Sequence, residues 1–291
     1  MSYLIVAIIA WSIFSVSTLI DKYLLNKPIG DAKVYTFYTG LFAIFIVIIF
    51  LPFAGWPGLN HFLFDISCGG FFLISLYFLF AAIQKREVSQ VIPLVGALTP
   101  IFALIIEHVW FNSNLRPTEY MAFFFLVLGT FTISYEKKFH SRNLILPILA
   151  ALLGATYYVV VKSALTPFSS NFAWVRLGSV IAAAAMLLHP HIRAAVFKTS
   201  HSLKSSASNL FLIKSVLAGA GFIVLNYAIS IGDPALVNSL QGIEYALIFI
   251  MVVIISAYRP KILHENLPHP MMLQKIAAIM FIFTGLVLLS A

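Results

Sequence analysis

Between residues 234 and 256 an otherwise apolar stretch carries Asn238, Gln241, Glu244 and Tyr245. Steps of three residues, with Tyr245 four beyond Gln241, put these side chains on one face of a helix. A polar stripe facing lipid is costly, so the stripe is expected to face a cavity or another polar helix. Glu244 falls about ten residues into the stretch, about 15 Å along a helix axis and near the middle of a bilayer. A carboxyl at that depth has two roles open to it. It binds a proton or a substrate ammonium, or it stays protonated and bonds neighbouring helices. Arg176 lies about five residues into another apolar stretch, roughly 7 Å below its rim. Three roles stand open there: pairing with Glu244, holding a substrate carboxylate, or snorkelling to the interface.

Further polar and aromatic residues recur at matching depths. Trp11, Ser15, Thr18 and Lys22 share one face of the first apolar stretch, Tyr157 and Tyr158 lie at the equivalent level of the sixth, and Asn226 and Tyr227 lie near the end of the eighth. Aromatic walls with a few hydroxyls suit amino acids or flat organic molecules. Packing alone is the readier explanation for any single one of these aromatics, because such residues make up 15% of the chain. Asp21 and Lys22 end the first stretch and Lys162 ends the sixth, so these three read as rim anchors or a gate pair. The expected substrate-binding set is therefore Glu244, Gln241, Asn238, Tyr245, Arg176, Trp11, Ser15, Tyr157, Tyr158 and Asn226.

Holding such residues requires long apolar elements. Of 291 residues 61% are apolar and only 10% are charged, against roughly 25% charged in a soluble domain. That excludes a soluble globule, and runs of about 20 apolar residues are too long for membrane barrel strands. Breaks of charge, Pro, Gly and Asn leave ten expected spans, at 2–20, 33–51, 67–84, 88–106, 117–135, 143–162, 171–189, 209–229, 234–256 and 271–290. At the usual span length these use about 200 residues, which leaves no extramembrane domain. Function must then sit within the membrane or at its rims. Ser15-Val16-Ser17 resembles a signal cleavage site, but no positive segment precedes it, so 2–20 reads as a span.

Charge distribution sets the orientation. Fourteen of the eighteen Lys and Arg fall in the connections after the odd-numbered spans or in the first turns that follow them, which puts both termini outside and the basic loops in the cytoplasm. The net charge of +8 is spread over short loops, so it reflects orientation in a cell (inner) membrane and not a nucleic-acid surface. The segment Ile192 to Ser206 is basic with interspersed apolar residues, and reads as an ordinary solvated loop or as a segment lying on the anionic inner leaflet. A single cysteine, Cys68, excludes a disulfide framework and a cysteine zinc site. The dispersed histidines lack metal-ligand spacing. Cys68-Gly69-Gly70 and Gly219-Ala220-Gly221 lack the Lys-Ser/Thr of a phosphate loop and read as places of close helix packing or bending. No cofactor or metal is expected.

The chain also aligns with itself. Residues 82–96 and 228–242 align without a gap, matching Ala, Ile, Val, Leu and Gly and setting Glu87 against Asp233. A separate register sets Lys22 against Lys162. Two five-span units, 1–140 and 141–291, follow, and since five is odd the second enters the membrane inverted. The hairpin Phe80-Ala81-Ala82-Ile83 through Val88-Ser89-Gln90-Val91-Ile92-Pro93-Leu94, its copy from Tyr227-Ala228-Ile229 through Pro234-Ala235-Leu236-Val237, and the closing spans 117–135 and 271–290 resemble the drug/metabolite transporter superfamily, in its ten-helix branch of two EamA-type units. Thr99-Pro100 fits that family's proline after the middle of the fourth helix. Tyr245-Ala246 holds the corresponding place in the second unit, and the acidic-plus-basic pair expected after the fourth helix is missing at Glu107-His108 and Tyr258-Arg259-Pro260. The resemblance implies an all-α integral membrane protein that exports or exchanges small polar or amphipathic metabolites through a central cavity. Spans this apolar could face lipid or a second copy, so monomer and homodimer both stand as expectations. No ATP motif is present, so the energy source would be an ion or substrate gradient, with protons through Glu244 as the candidate. The rivals are a lipid scramblase, a passive channel and, further off, a membrane enzyme acting on lipid, for which no cluster of acidic or His residues at a rim is found.

Overall fold

A computed structural model describes residues 2–26, 31–85, 88–111, 115–134, 144–163, 168–202, 205–258 and 269–290. The described residues are all-α, with twelve helices: α1 (Ser2–Asn26), α2 (Ala32–Phe50), α3 (Leu59–Lys85), α4 (Val88–Phe111), α5 (Pro117–Ser134), α6 (Ile145–Ser163), α7 (Phe168–Met186), α8 (Pro190–Ser202), α9 (Ser205–Ile231), α10 (Pro234–Ser239), α11 (Gly242–Tyr258) and α12 (His269–Ser290). Helix overlaps each of the ten expected intervals. By length and composition seven stretches suffice to cross a membrane, and α7 with α8 forms a pair that passes the same test only together, bent by 99°. Apolar side chains dominate the outward surface of these helices, among them Ile48, Phe124, Val109 and Phe283. A lipid surround accounts for that exposure, since water would not tolerate so large an apolar patch.

Three departures from the expected elements have clear causes. Helix α3 starts at Leu59, eight residues before the expected 67, because Asp65 is accepted inside the helix once α7 supplies a partner for it. The expected span 234–256 still serves as one crossing over Pro234–Met251, but its helix is interrupted. Asp233 caps α10 by accepting from Leu236 N at 3.0 Å, α10 stops at Ser239, and α11 starts at Gly242. The expected span to residue 189 instead turns at Leu187–His189 into α8, which packs Val196 inward beside α2.

Helices distant in sequence form the main seams: α1 with α9, α5 with α12, α2 with α7, α3 with α6 and α7, and α4 with α6 and α10. The α3–α7 seam is the tightest backbone approach. A Cβ on Gly69 would run into Val175 O, and one on Gly178 would run into Ile66 O. Small residues permit such approaches between helices in lipid. Ser179 Oγ then donates to Gly69 O at 3.0 Å. At one end of this seam Trp174 Nε1 donates to Gly55 O at 3.1 Å and stands edge-on to Trp56 and Phe62, which ties the α2–α3 connection to α7.

Candidate functional site

Glu244 is 3% exposed and sits in the first turn of α11. Its two oxygens are bonded separately: Thr18 Oγ1 of α1 donates to Oε1 at 2.6 Å, and Gln241 Nε2 donates to Oε2 at 3.3 Å. Gln241 and Glu244 face the same way for a reason the sequence reading did not contain. They do not lie on a continuous α-helix with Asn238. The chain turns here through i to i−3 bonds, Gln241 N to Asn238 O and Glu244 N to Gln241 O, both 3.0 Å, and a turn of three residues eclipses positions i and i+3. Asn238 itself turns back to Pro234 O at 2.8 Å, leaving its buried Oδ1 without a hydrogen-bond partner. Tyr245 does not join the stripe. Its hydroxyl donates to Ile92 O of α4 at 2.8 Å, and a Cβ on Gly96 would collide with it, so Tyr245 is a seam between α4 and α11.

From Thr18 the polar contacts continue one turn along α1. Asp21 Oδ1 receives Lys214 Nζ of α9 at 2.9 Å and the hydroxyl of Tyr35 of α2. The ammonium also lies 5.2 Å from the Tyr35 ring and 5.9 Å from Phe211. Asp21 therefore pairs with Lys214; the Lys22 side chain lies outside the described ones. Asp21 is close enough to Glu244 for the two carboxyls to influence each other. Four helices thus converge on a chain of polar groups running from Gln241 to Lys214. Trp11 and Ser15, earlier on α1, are otherwise engaged: Trp11 Nε1 donates to Val237 O at 3.0 Å and Ser15 Oγ to Ser12 O at 2.7 Å. Trp11 joins α1 to α10, and Ser15 is satisfied by its own helix.

Arg176 is 4% exposed, so it does not snorkel. It makes no hydrogen bond to Glu244. Its guanidinium carbon lies 4.1 Å from the Phe222 ring centroid and 4.5 Å from Phe72, with Tyr157 and Phe172 each at 5.6 Å. Desolvated cation–π contacts of this kind reach about 2 kcal/mol each. Nη2 donates to Tyr157 Oη at 2.9 Å, and Tyr157 in turn donates to Asn226 Oδ1 at 3.1 Å, whose Nδ2 is held by Phe222 O at 2.9 Å. Four helices, α3, α6, α7 and α9, build this group. Tyr158, next to Tyr157 on α6, is half-buried and feels the charges of both Arg176 and Glu244. Tyr158 packs against both the apolar cluster that holds Trp11 and Tyr245 and the one that holds Phe72 and Phe222.

Residues 1–135 match the EamA-like transporter family. That stretch, which holds α1 to α5, thus resembles a family of membrane transporters and not of enzymes, consistent with the drug/metabolite transporter superfamily. A solved crystal structure is similar over 98% of this chain and 93% of its own, with a TM-score of 0.64 at 17% identity, a likeness of fold alone. No curated protein matches.

Two buried carboxyls in the EamA-like stretch escaped the sequence reading. Asp65 is 1% exposed inside α3; Asn171 Nδ2 of α7 donates to its Oδ1 at 3.2 Å, and Oδ2 has no hydrogen-bond partner. An expected span beginning at 67 leaves Asp65 outside it, yet a lone Asp in the 27-residue helical stretch Leu59–Lys85 is a detectable signal. Glu107 is also buried and accepts from Ala235 N at 3.2 Å, beside the Asp233 cap. Lys162, whose charge Glu107 and Asp233 feel, donates to Ser230 O at 2.9 Å and is exposed, as suits a rim anchor. Among the described residues no group of His, Cys, Asp and Glu is arranged to hold a metal ion.

Proposed function

We propose that the chain is a secondary transporter with ten membrane spans in two inverted repeats, 1–140 and 141–291, that exports or exchanges a small polar or amphipathic metabolite by alternating access. Substrate is bound between the halves by the groups around Glu244, Gln241, Tyr158 and Arg176, and Glu244 exchanges a proton for it. The observation that carries this reading is the Thr18–Glu244 bond of 2.6 Å: a membrane-embedded carboxyl of the second half is held by a hydroxyl of the first. Any rocking of one half against the other changes what that carboxyl touches, which is how a conformational change acquires a differential affinity for proton or substrate.

The pattern of seams supports the repeat. Exchanging each span for the one five places on turns α1–α9 into α6–α3 and α4–α6 into α11–α1, and maps α2–α7 and α5–α12 onto themselves; all of these pairs are in contact. The bias of lysine and arginine to alternate connections supports both termini outside a cell membrane, with Asp21, Tyr35 and Lys214 at the cytoplasmic end and Glu107, Lys162 and Asp233 at the outer end. Counterflow in proteoliposomes over a panel of amino acids, nucleosides, sugars and organic cations tests the function. A pH gradient should drive accumulation of the substrate by wild type, and Glu244→Gln should abolish the pH drive while weakening counterflow less. A well-folded Glu244→Gln protein with unchanged pH-driven transport would remove the proton role, and flux that neither saturates nor shows counterflow would replace the transporter with a channel.

A further inference from the structure

Two buried cations can be compared within the same fold. Lys214 and Arg176 are both almost fully buried, at 3% and 4% exposed, and both lie against aromatic rings. Lys214 also has a carboxylate, Asp21, at 2.9 Å. Arg176 has the rings and one neutral hydroxyl, and among the described residues no carboxylate bonds to it. Its buried Nε–H has no hydrogen-bond partner. The neutral partners around it are already engaged, since Tyr157 donates onward to Asn226 and Asn226 is held by Phe222 O. A guanidinium keeps its charge and offers a planar fork that matches a carboxylate, so what this group lacks is an anion. A cage of Phe72, Phe172 and Phe222 around the fork adds apolar walls for the body of the molecule carrying it.

We propose that Arg176, in its cage of Phe72, Tyr157, Phe172 and Phe222, is the docking point for a carboxylate carried by the transported molecule. The inference rests on the transporter reading above and narrows its substrate to small carboxylates with an apolar body. Two sources share that chemistry, an amino acid and a simple monocarboxylic acid. They differ in the ammonium, for which the buried Glu244 is the available counter-charge.

The test uses the purified full chain in detergent. Thermal stabilisation is measured with the twenty amino acids and a series of aliphatic and aryl monocarboxylates. Each acid that binds is then paired with its carboxamide and, for amino acids, with the decarboxylated amine. At least one acid is expected to stabilise the protein, with its carboxamide about tenfold or more weaker, as loss of a charge-assisted bond implies. Arg176→Gln should erase the difference between acid and amide, and Arg176→Lys should restore part of it. Stabilisation by phenylalanine but not phenylpropanoate assigns the source to amino acids; the reverse assigns it to monocarboxylates. An amide that binds as well as its acid in wild type, or the absence of any stabilising acid, overturns the proposal, and neither result depends on a variant that folds. Counterflow of the best acid is measured alongside. Binding without counterflow sinks the transporter reading and leaves Arg176 a carboxylate site, whereas counterflow of uncharged molecules alone does the opposite.

Discussion

Substituting alanine at two adjacent glycines of α3 separates close packing from helix propensity. A Cβ on Gly69 would press against Val175 O and lie 2.6 Å from Ser179 N and 2.9 Å from Gly178 C, all backbone of α7. Contacts of this kind settle near 3.5 Å, so the seam must open by roughly 1 Å. Opening stretches the bond from Ser179 Oγ to Gly69 O and the bond from Asn171 to Asp65, now 3.0 and 3.2 Å. Overpacking costs about 1–3 kcal/mol, and weakened interhelical bonds in a bilayer add about 0.6 kcal/mol each. Against this, alanine gains about 1 kcal/mol of helix propensity, so Gly69→Ala should lose about 1–3 kcal/mol net. Gly70 is the matched control. The nearest atom to its Cβ is Ala182 Cβ at 4.0 Å, so Gly70→Ala should be neutral or gain up to about 1 kcal/mol. Unfolding by SDS in mixed micelles, followed through tryptophan fluorescence, measures both. Gly69→Ala as stable as Gly70→Ala would refute the tight α3–α7 approach, and with it the reason Asn171 meets Asp65 and Arg176 meets Phe72.

Two further perturbations act at the two ends of the fold. Lys214→Met leaves Asp21 with the Tyr35 hydroxyl alone and should destabilise by about 2–3 kcal/mol, somewhat below the cost of breaking a fully buried pair because Asp21 is partly exposed; the double change with Asp21→Asn should recover most of that loss in the same assay. Burial holds the Asp233 carboxyl above the ordinary carboxylate range, against the pull of its bond from Leu236 N. Its contribution to stability is therefore fully present below the unfolded carboxyl's pKa, near 3.9, and is lost as pH rises through the higher folded value. Asp233→Asn keeps a good cap and should flatten part of the fall in melting temperature as pH rises above about 4; an unaltered slope would show that Asp233 is not the group responsible.

Much of the architecture was legible in the chain itself. Long apolar runs must be helices in lipid, because an unsatisfied backbone cannot cross hydrocarbon, and helix overlaps all ten intervals so read. Glu244 and Arg176 stood out because charge in such a run is costly. The Cys68-Gly69-Gly70 run was read as close packing or bending, and Gly69 does lie in the tightest seam. Span ends were less legible. Asp65 and Glu107 were placed at or beyond boundaries because a charge looks like a terminus until its partner is known, and those partners, Asn171 and Ala235, come from 106 and 128 residues away.

Sequence alone determined that this protein is a bundle of apolar helices with a few charges that must be accommodated inside it, since composition and run length fix the solvent the chain requires. Only the tertiary structure decided what accommodates each charge. Asp21 meets Lys214 from 193 residues away, Arg176 could have met Glu244 and instead lies in a ring of aromatics, and Tyr245 left the polar stripe to bond Ile92. Spacing along one helix constrains which side chains share a face. Which face meets which is set by the close approach of other helices, through contacts that depend on residues scattered over the whole chain.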